Sequence, residues 1–107
     1  MILVTTEHVP GQQETTSLGM VRGSSIRARH AGKDIMAGLR NLVGGEVHEY
    51  SKLLGESREQ AIDRMIEEAE ALGANAVIGI RFQTSMVMQG AAEMLCYGTA
   101  VKLEAAF

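Results

Sequence analysis

Leu72-Gly73-Ala74-Asn75-Ala76-Val77-Ile78-Gly79-Ile80-Arg81-Phe82, directly after a run of helix formers, decides the fold. Gly73 is placed to end a helix in the left-handed conformation, which glycine adopts without the penalty a Cβ imposes. The Val, Ile and Phe residues that follow favour a pleated, half-buried strand over more helix. The segment therefore reads as a helix-to-strand junction, and the elements on either side can be traced outward from it.

On its N-terminal side, Tyr50, Leu53, Leu54, Ala61, Ile62, Met65, Ile66, Ala69 and Leu72 recur at three- and four-residue spacing, the stripe of a core-facing helix. Gly55 interrupts this stripe, and Ser57 with Gln60 has the spacing of a capping box that would start a new helix. Because the stripe keeps its phase across Gly55, one continuous or gently kinked helix is expected. A shorter helix is expected before it, opened by Asp34, carrying Ile35, Leu39, Leu42 and Val43, and stopped by Gly44-Gly45.

On the C-terminal side, alternation places Ile78, Ile80, Phe82, Met86 and Met88 on one strand face, opposite Gly79, Arg81, Gln83 and Ser85. Gln89-Gly90-Ala91-Ala92 reads as a hairpin connection into a last strand whose bulkier set is Leu95, Tyr97, Val101 and Leu103. Near the N-terminus, Ile2 to Thr5 is a short strand before the Pro10-Gly11 turn. A second strand from Thr16 to Arg29 has Leu18, Met20, Ile26 and Ala28 on one face, with a bulge or bend near Gly23. The order β-β-α-α-β-β predicts an α+β two-layer domain over residues 1–107, an antiparallel sheet with helices on one face.

At 107 residues the chain suits one modest core. With 4% aromatic residues, 12 glycines and seven methionines, that core must be aliphatic and methionine-rich, which raises the expectation of burial against copies of the same chain. A net charge of −3 gives no footprint for nucleic acid, and Arg22, Arg27 and Arg29 read as charges that discourage wrong pairing of an edge or interface strand. Cys96 is the single cysteine, so no intrachain disulfide can form. No stretch approaches the length of a membrane span and the N-terminus lacks a basic leader, so the expected setting is the cytoplasm.

The residues offer little chemistry. Ser, Thr and Cys side chains lack a sequence-evident base, and the carboxylates of Glu67, Glu68 and Glu70 read as a solvated helix face, so no enzyme is expected. No cofactor is evident, and a metal ion is the one inorganic partner worth weighing. Its candidate ligands are Cys96, His48, His30 and Met94, with His8, Met86 and Met88 beside them, but no Cys-x-x-Cys and no helical His pair occurs. Thiolate and thioether donors would suit Cu(I). If the bulky strand faces both meet the helices, however, Met86 and Met88 lie with Leu95 and Tyr97 while Met94 and Cys96 face away. Gly44-Gly45, before a helix N-terminus, is a candidate anion cradle, although Glu46 and Glu49 put negative charge there and a helix-helix turn is the simpler reading. Tyr50 falls on the apolar stripe, with its hydroxyl at the layer edge. Gly98-Thr99-Ala100 reads as a small-residue segment that permits tight packing between subunits.

Leu18-Gly19-Met20-Val21-Arg22-Gly23, Asp34 with Leu39-Arg40 and Gly44-Gly45, Tyr50, Arg58 with Ala61, Leu72 to Val77, and Tyr97-Gly98-Thr99-Ala100-Val101 together resemble the YbjQ family. This is a family of short bacterial proteins labelled as heavy-metal-binding, with no established activity. The resemblance implies a dodecin-like subunit in a ring-shaped homopentamer. A cyclic assembly would repeat each His or Cys around its axis, creating a ring of ligands that one chain's spacing cannot reveal. The sequence thus points to an oligomeric, non-enzymatic assembly or small-ligand-binding module, with a metal-binding protein using symmetry-related His, Cys and Met side chains as the alternative.

Overall fold

The computed structural model describes residues 1–27, 47–88 and 91–106, with side chains described for 1–26, 54–86 and 92–106. Its elements are β1 (Ile2–Leu3), β2 (Gln12–Arg27), α1 (Val47–Ala71), β3 (Ala76–Met88) and β4 (Ala91–Ala105). The expected shorter helix around Ile35 and Leu39, and Gly44-Gly45 after it, lie outside the described residues.

The decisive junction forms as its residues require. Gly73 takes φ 83°, its N–H donates to the Glu70 carbonyl, and the Ala74 N–H donates to the Ala69 carbonyl. This pair of bonds is a Schellman closure, which satisfies carbonyls the helix end would otherwise leave bare. Asn75 then fastens the new strand: its Nδ2 donates to the Leu103 carbonyl and its Oδ1 accepts from the Leu103 N–H, so a side-chain amide prolongs the ladder one residue before β3 begins.

The sheet order is β1-β3-β4-β2. β3 pairs antiparallel with β4, and β4 with β2, but β1 runs parallel to β3 through Ile2↔Ala76 and Leu3↔Val77. The sheet is therefore mixed, and the wholly antiparallel sheet expected from the sequence is corrected at this edge. The parallel pair works because the N-terminal segment approaches β3 from outside the hairpin, with Val4 and Thr6 adding backbone bonds at Val77, Gly79 and Ile80.

Two bulges decide which residues are inside. In β3 the register shifts between Ile78 and Arg81, where Gly79 takes φ 61°, and in β2 it shifts between Ser17 and Gly19, where Gly19 takes φ 99°. An extra residue in one strand reverses the in-out alternation beyond it. Val77 and Ile80 consequently share the helix side, whereas Ala76 and Ile78 face away. The expected grouping of Ile78 with Ile80 is thus corrected, and so is that of Leu18 with Met20. Leu18 packs toward the helix, while Met20 and Ile26 stand on the opposite face, 64% and 55% exposed.

The main core lies between α1 and the sheet, where Ala61, Met65 and Ala69 meet Val21, Val77, Ile80, Cys96 and Ala100. Val21 and Val77 are fully buried here, on the helix side of the sheet. α1 runs unbroken through Gly55. Leu72, assigned to its apolar stripe, is instead exposed because the chain has already turned at Gly73. Ser57 and Gln60 form no capping box: the Ser57 hydroxyl donates to Ser25, and the Ser25 hydroxyl donates to Gln60 Oε1 at 2.6 Å, clasping helix to β2. A second cluster on the other face, Ala76, Ile78, Val101 and Leu103, is covered by Val4 and Val9 as the N-terminal segment folds back.

β2 at 16 residues spans about 50 Å, whereas the 25 residues of α1 span about 37 Å, so the sheet outruns its helix. The dimensions are 56 × 23 × 15 Å and the radius of gyration 17.1 Å, against about 13 Å for a compact domain of this length.

Candidate functional site

Register assigns the soft donors differently from the sequence expectation. Cys96 pairs with Phe82 and Gly23, Met94 with Thr84 and Ser25, and Met86 with Ala92. Directly opposed residues share a face, so Met86, Met94 and Cys96 all point to the helix side, and Leu95 and Tyr97 to the other. The expected split between Met86 and the Met94–Cys96 pair is corrected. The cause is the bulge at Gly79, which reverses β3 before it reaches Met86.

Cys96 is wholly buried in the same cluster as Met65, with Met94 half-buried against it. Burial pushes its thiol pKa up, against a smaller lowering from a hydrogen bond with the Gly23 backbone. The thiol therefore stays protonated at neutral pH, as a small hydrophobe would. The donor types fit a soft ion such as Cu(I) but supply no nitrogen or oxygen ligand for a harder one. Among the described residues no group of three or more His, Cys, Asp or Glu gathers to hold a metal. Met86 lies farther out, 74% exposed.

His8 is occupied elsewhere, its Nδ1 3.0 Å from Glu14 Oε1 across the Pro10-Gly11 turn. His48 and Tyr50 lie on α1, but their side chains are outside those described; His30, Gly44 and Gly45 lie outside the described residues altogether. Next to the core, a crevice of about 190 Å³ opens between the N-terminal segment and the helix, lined by Leu3, Val4, Ile62, Met65, Ile80 and Phe82 beside Thr5. Among the described residues its lining carries no ionisable side chain.

The outer face of the sheet holds a polar constellation that alternation alone missed. Tyr97 pairs with Arg22 on one side and Arg81 on the other, so an arginine, a tyrosine and an arginine form one row across three strands. Arg81 Nη1 donates to the Thr5 carbonyl at 2.8 Å and to its neighbour Ile80 at 2.9 Å. Finding this row required the strand register, which three separated segments of sequence do not state.

A mixed four-stranded sheet with one described helix packed across its inner face defines a small α+β protein without an assembled catalytic group among its described residues. The chain belongs to the YbjQ family, whose model, described as "putative heavy-metal-binding", matches residues 1–104. It is 62% identical over 103 residues to a UPF0145 protein of Methanosarcina acetivorans, covering 96% of this chain and 97% of that one. A UPF0145 protein of Clostridioides difficile is 61% identical over 104 residues, 97% of this chain and 93% of the other. One from Thermus thermophilus is 59% identical over 106 residues, with 98% and 93% covered. The fold is similar to the crystal structure of a Pediococcus pentosaceus protein of unknown function from the DUF74 family, with TM-score 0.67 at 15% identity, covering 97% of this chain and 98% of that chain.

Proposed function

We propose that this protein is a non-enzymatic subunit of a cytoplasmic homo-oligomer, a ring-shaped pentamer, serving as an assembly or small-ligand-binding module. The observation that carries the reading is the pair of open sheet edges. Among the described residues, β2 has no strand on its outer side, and β3 has none beyond the short β1 pairing. Unpaired strand edges are templates for another chain, and edges on opposite sides of one sheet favour head-to-tail pairing that closes into a ring. The elongated subunit supports it further. Five as the copy number follows from the family resemblance. Light scattering on a sizing column is expected to give about five times the 11.5 kDa subunit mass at micromolar concentration. A monomer there would overturn the reading.

A second reading, heavy-metal binding, is favoured by the shared face of Met86, Met94 and Cys96 and by the family's description. The two separate in a competition titration of the apo protein with zinc and Cu(I). The assembly reading expects no stoichiometric binding, with Cys96→Ser leaving the oligomer intact. One tightly held Cu(I) per subunit, lost in Cys96→Ser, would promote the metal reading instead.

A further inference from the structure

We infer that the row Arg22–Tyr97–Arg81 on the outer sheet face binds a small anion with a planar body, of the size and chemistry of a nucleoside diphosphate. This deepens the small-ligand half of the proposed function and is independent of the copy number. Adjacent strands lie about 4.8 Å apart, so the two arginine Cα atoms flank Tyr97 at a separation of about 10 Å. Tyr97, half-buried, offers a planar face and a phenol, while guanidinium groups match phosphate oxygens with paired donors.

Charge supports the assignment. The neighbouring rows are Met20–Thr99–Ile78 and Ser24–Leu95–Gln83, which contain no carboxylate. Glu93, on the same face, is four residues from Tyr97 and hence about 13 Å away along the strand. In a chain of net charge −3, two arginines therefore share a stretch of face without a neutralising partner among the described residues. Arg81 is also held in place: with Nη1 on the Thr5 carbonyl, its Nε and Nη2 make no hydrogen bond to another described residue. The turned-back N-terminal segment, packed through Val4 and Val9 on the cluster of Ala76, Ile78, Val101 and Leu103, reaches the β3 end of the row where the Thr5 carbonyl accepts from Arg81. A planar body over Tyr97 would lie beside this segment with its charged end against a guanidinium.

The test is calorimetry at low ionic strength with ADP, adenosine, inorganic pyrophosphate and a single-stranded oligonucleotide, on the parent, Arg22→Gln, Tyr97→Leu and the helix-surface control Arg58→Gln. Each sample is also sized by light scattering, so loss of assembly is read separately from loss of binding. ADP is expected to bind the parent and Arg58→Gln alike, about tenfold more weakly in Arg22→Gln and Tyr97→Leu, and more tightly than adenosine or pyrophosphate. Absence of ADP binding at millimolar concentration, or an affinity unchanged in Arg22→Gln, would overturn the inference. Equal affinities for ADP and pyrophosphate would overturn the role of the planar body. A single-stranded oligonucleotide that binds more tightly than ADP and depends on Arg22 in the same way would replace the small-molecule assignment.

Discussion

Gly23→Ala is expected to destabilise the subunit by about 3 kcal/mol or more, because a methyl group there has no space on either side of the helix-sheet contact. A Cβ on Gly23 would overlap the Ala61 carbonyl oxygen and the Met65 amide nitrogen and stand 3.0 Å from the Arg64 carbonyl carbon. All three are helix backbone, so no side-chain rotation relieves the overlap. The helix would have to lift from β2, opening the contacts of Met65 and Ala61 with Val21 and straining the Ser57–Ser25–Gln60 clasp. Gly55→Ala is the control of opposite sign. Its Cβ would meet Arg58 at an ordinary 3.7 Å, and alanine in a helix interior is favoured over glycine by about 0.5–1 kcal/mol. Urea unfolding of both variants at equal subunit concentration checks the pair. A Gly23→Ala midpoint equal to the parent's would show that the helix does not rest on β2 here.

The parts of the fold that were legible in the sequence are those set by neighbours in the chain. The Gly73 closure involves residues 69 to 74, and the α1 stripe of Ala61, Met65 and Ala69 follows from helical spacing alone. The strand faces were not legible, because alternation assumes an unbroken pleat and the bulges at Gly19 and Gly79 each reverse it. Glycine was visible at both positions, but the sign of the reversal depends on the partner strand. The same nonlocality hid β1's parallel pairing and the meeting of Ser57 with Ser25. It also determined what could be seen of the sites: Cys96 and Met94 were identifiable as soft donors, yet their sharing a face with Met86 depended on register. Sequence alone makes Arg22 an edge-strand charge, and only pairing across β4 places it beside Tyr97, with Arg81 on the other side.

Gly98→Ala is expected to cost about 2 kcal/mol, and the cause lies within the subunit. Gly98 sits on β4 opposite the bulge, where Thr99 pairs with Ile78 and Tyr97 with Arg81, leaving two β3 residues across from it. The reversal aims Val77 and Ile80 to the same side, and their side chains converge over residue 98. A Cβ there would lie 2.7 Å from Val77 Cγ1, 2.9 Å from the Ile78 carbonyl oxygen and 3.2 Å from Ile80 Cγ1. The small residue that the sequence suggested for contact between subunits therefore makes room for its own chain. Two measurements distinguish these roles. In chemical denaturation, Val77→Ala should offset part of the loss, so the double variant is less destabilised than the sum of the single ones. Light scattering on Gly98→Ala under folding conditions should show the parent's oligomer. Additive losses, or an oligomer that dissociates into subunits of unchanged stability, would return Gly98 to the intersubunit contact.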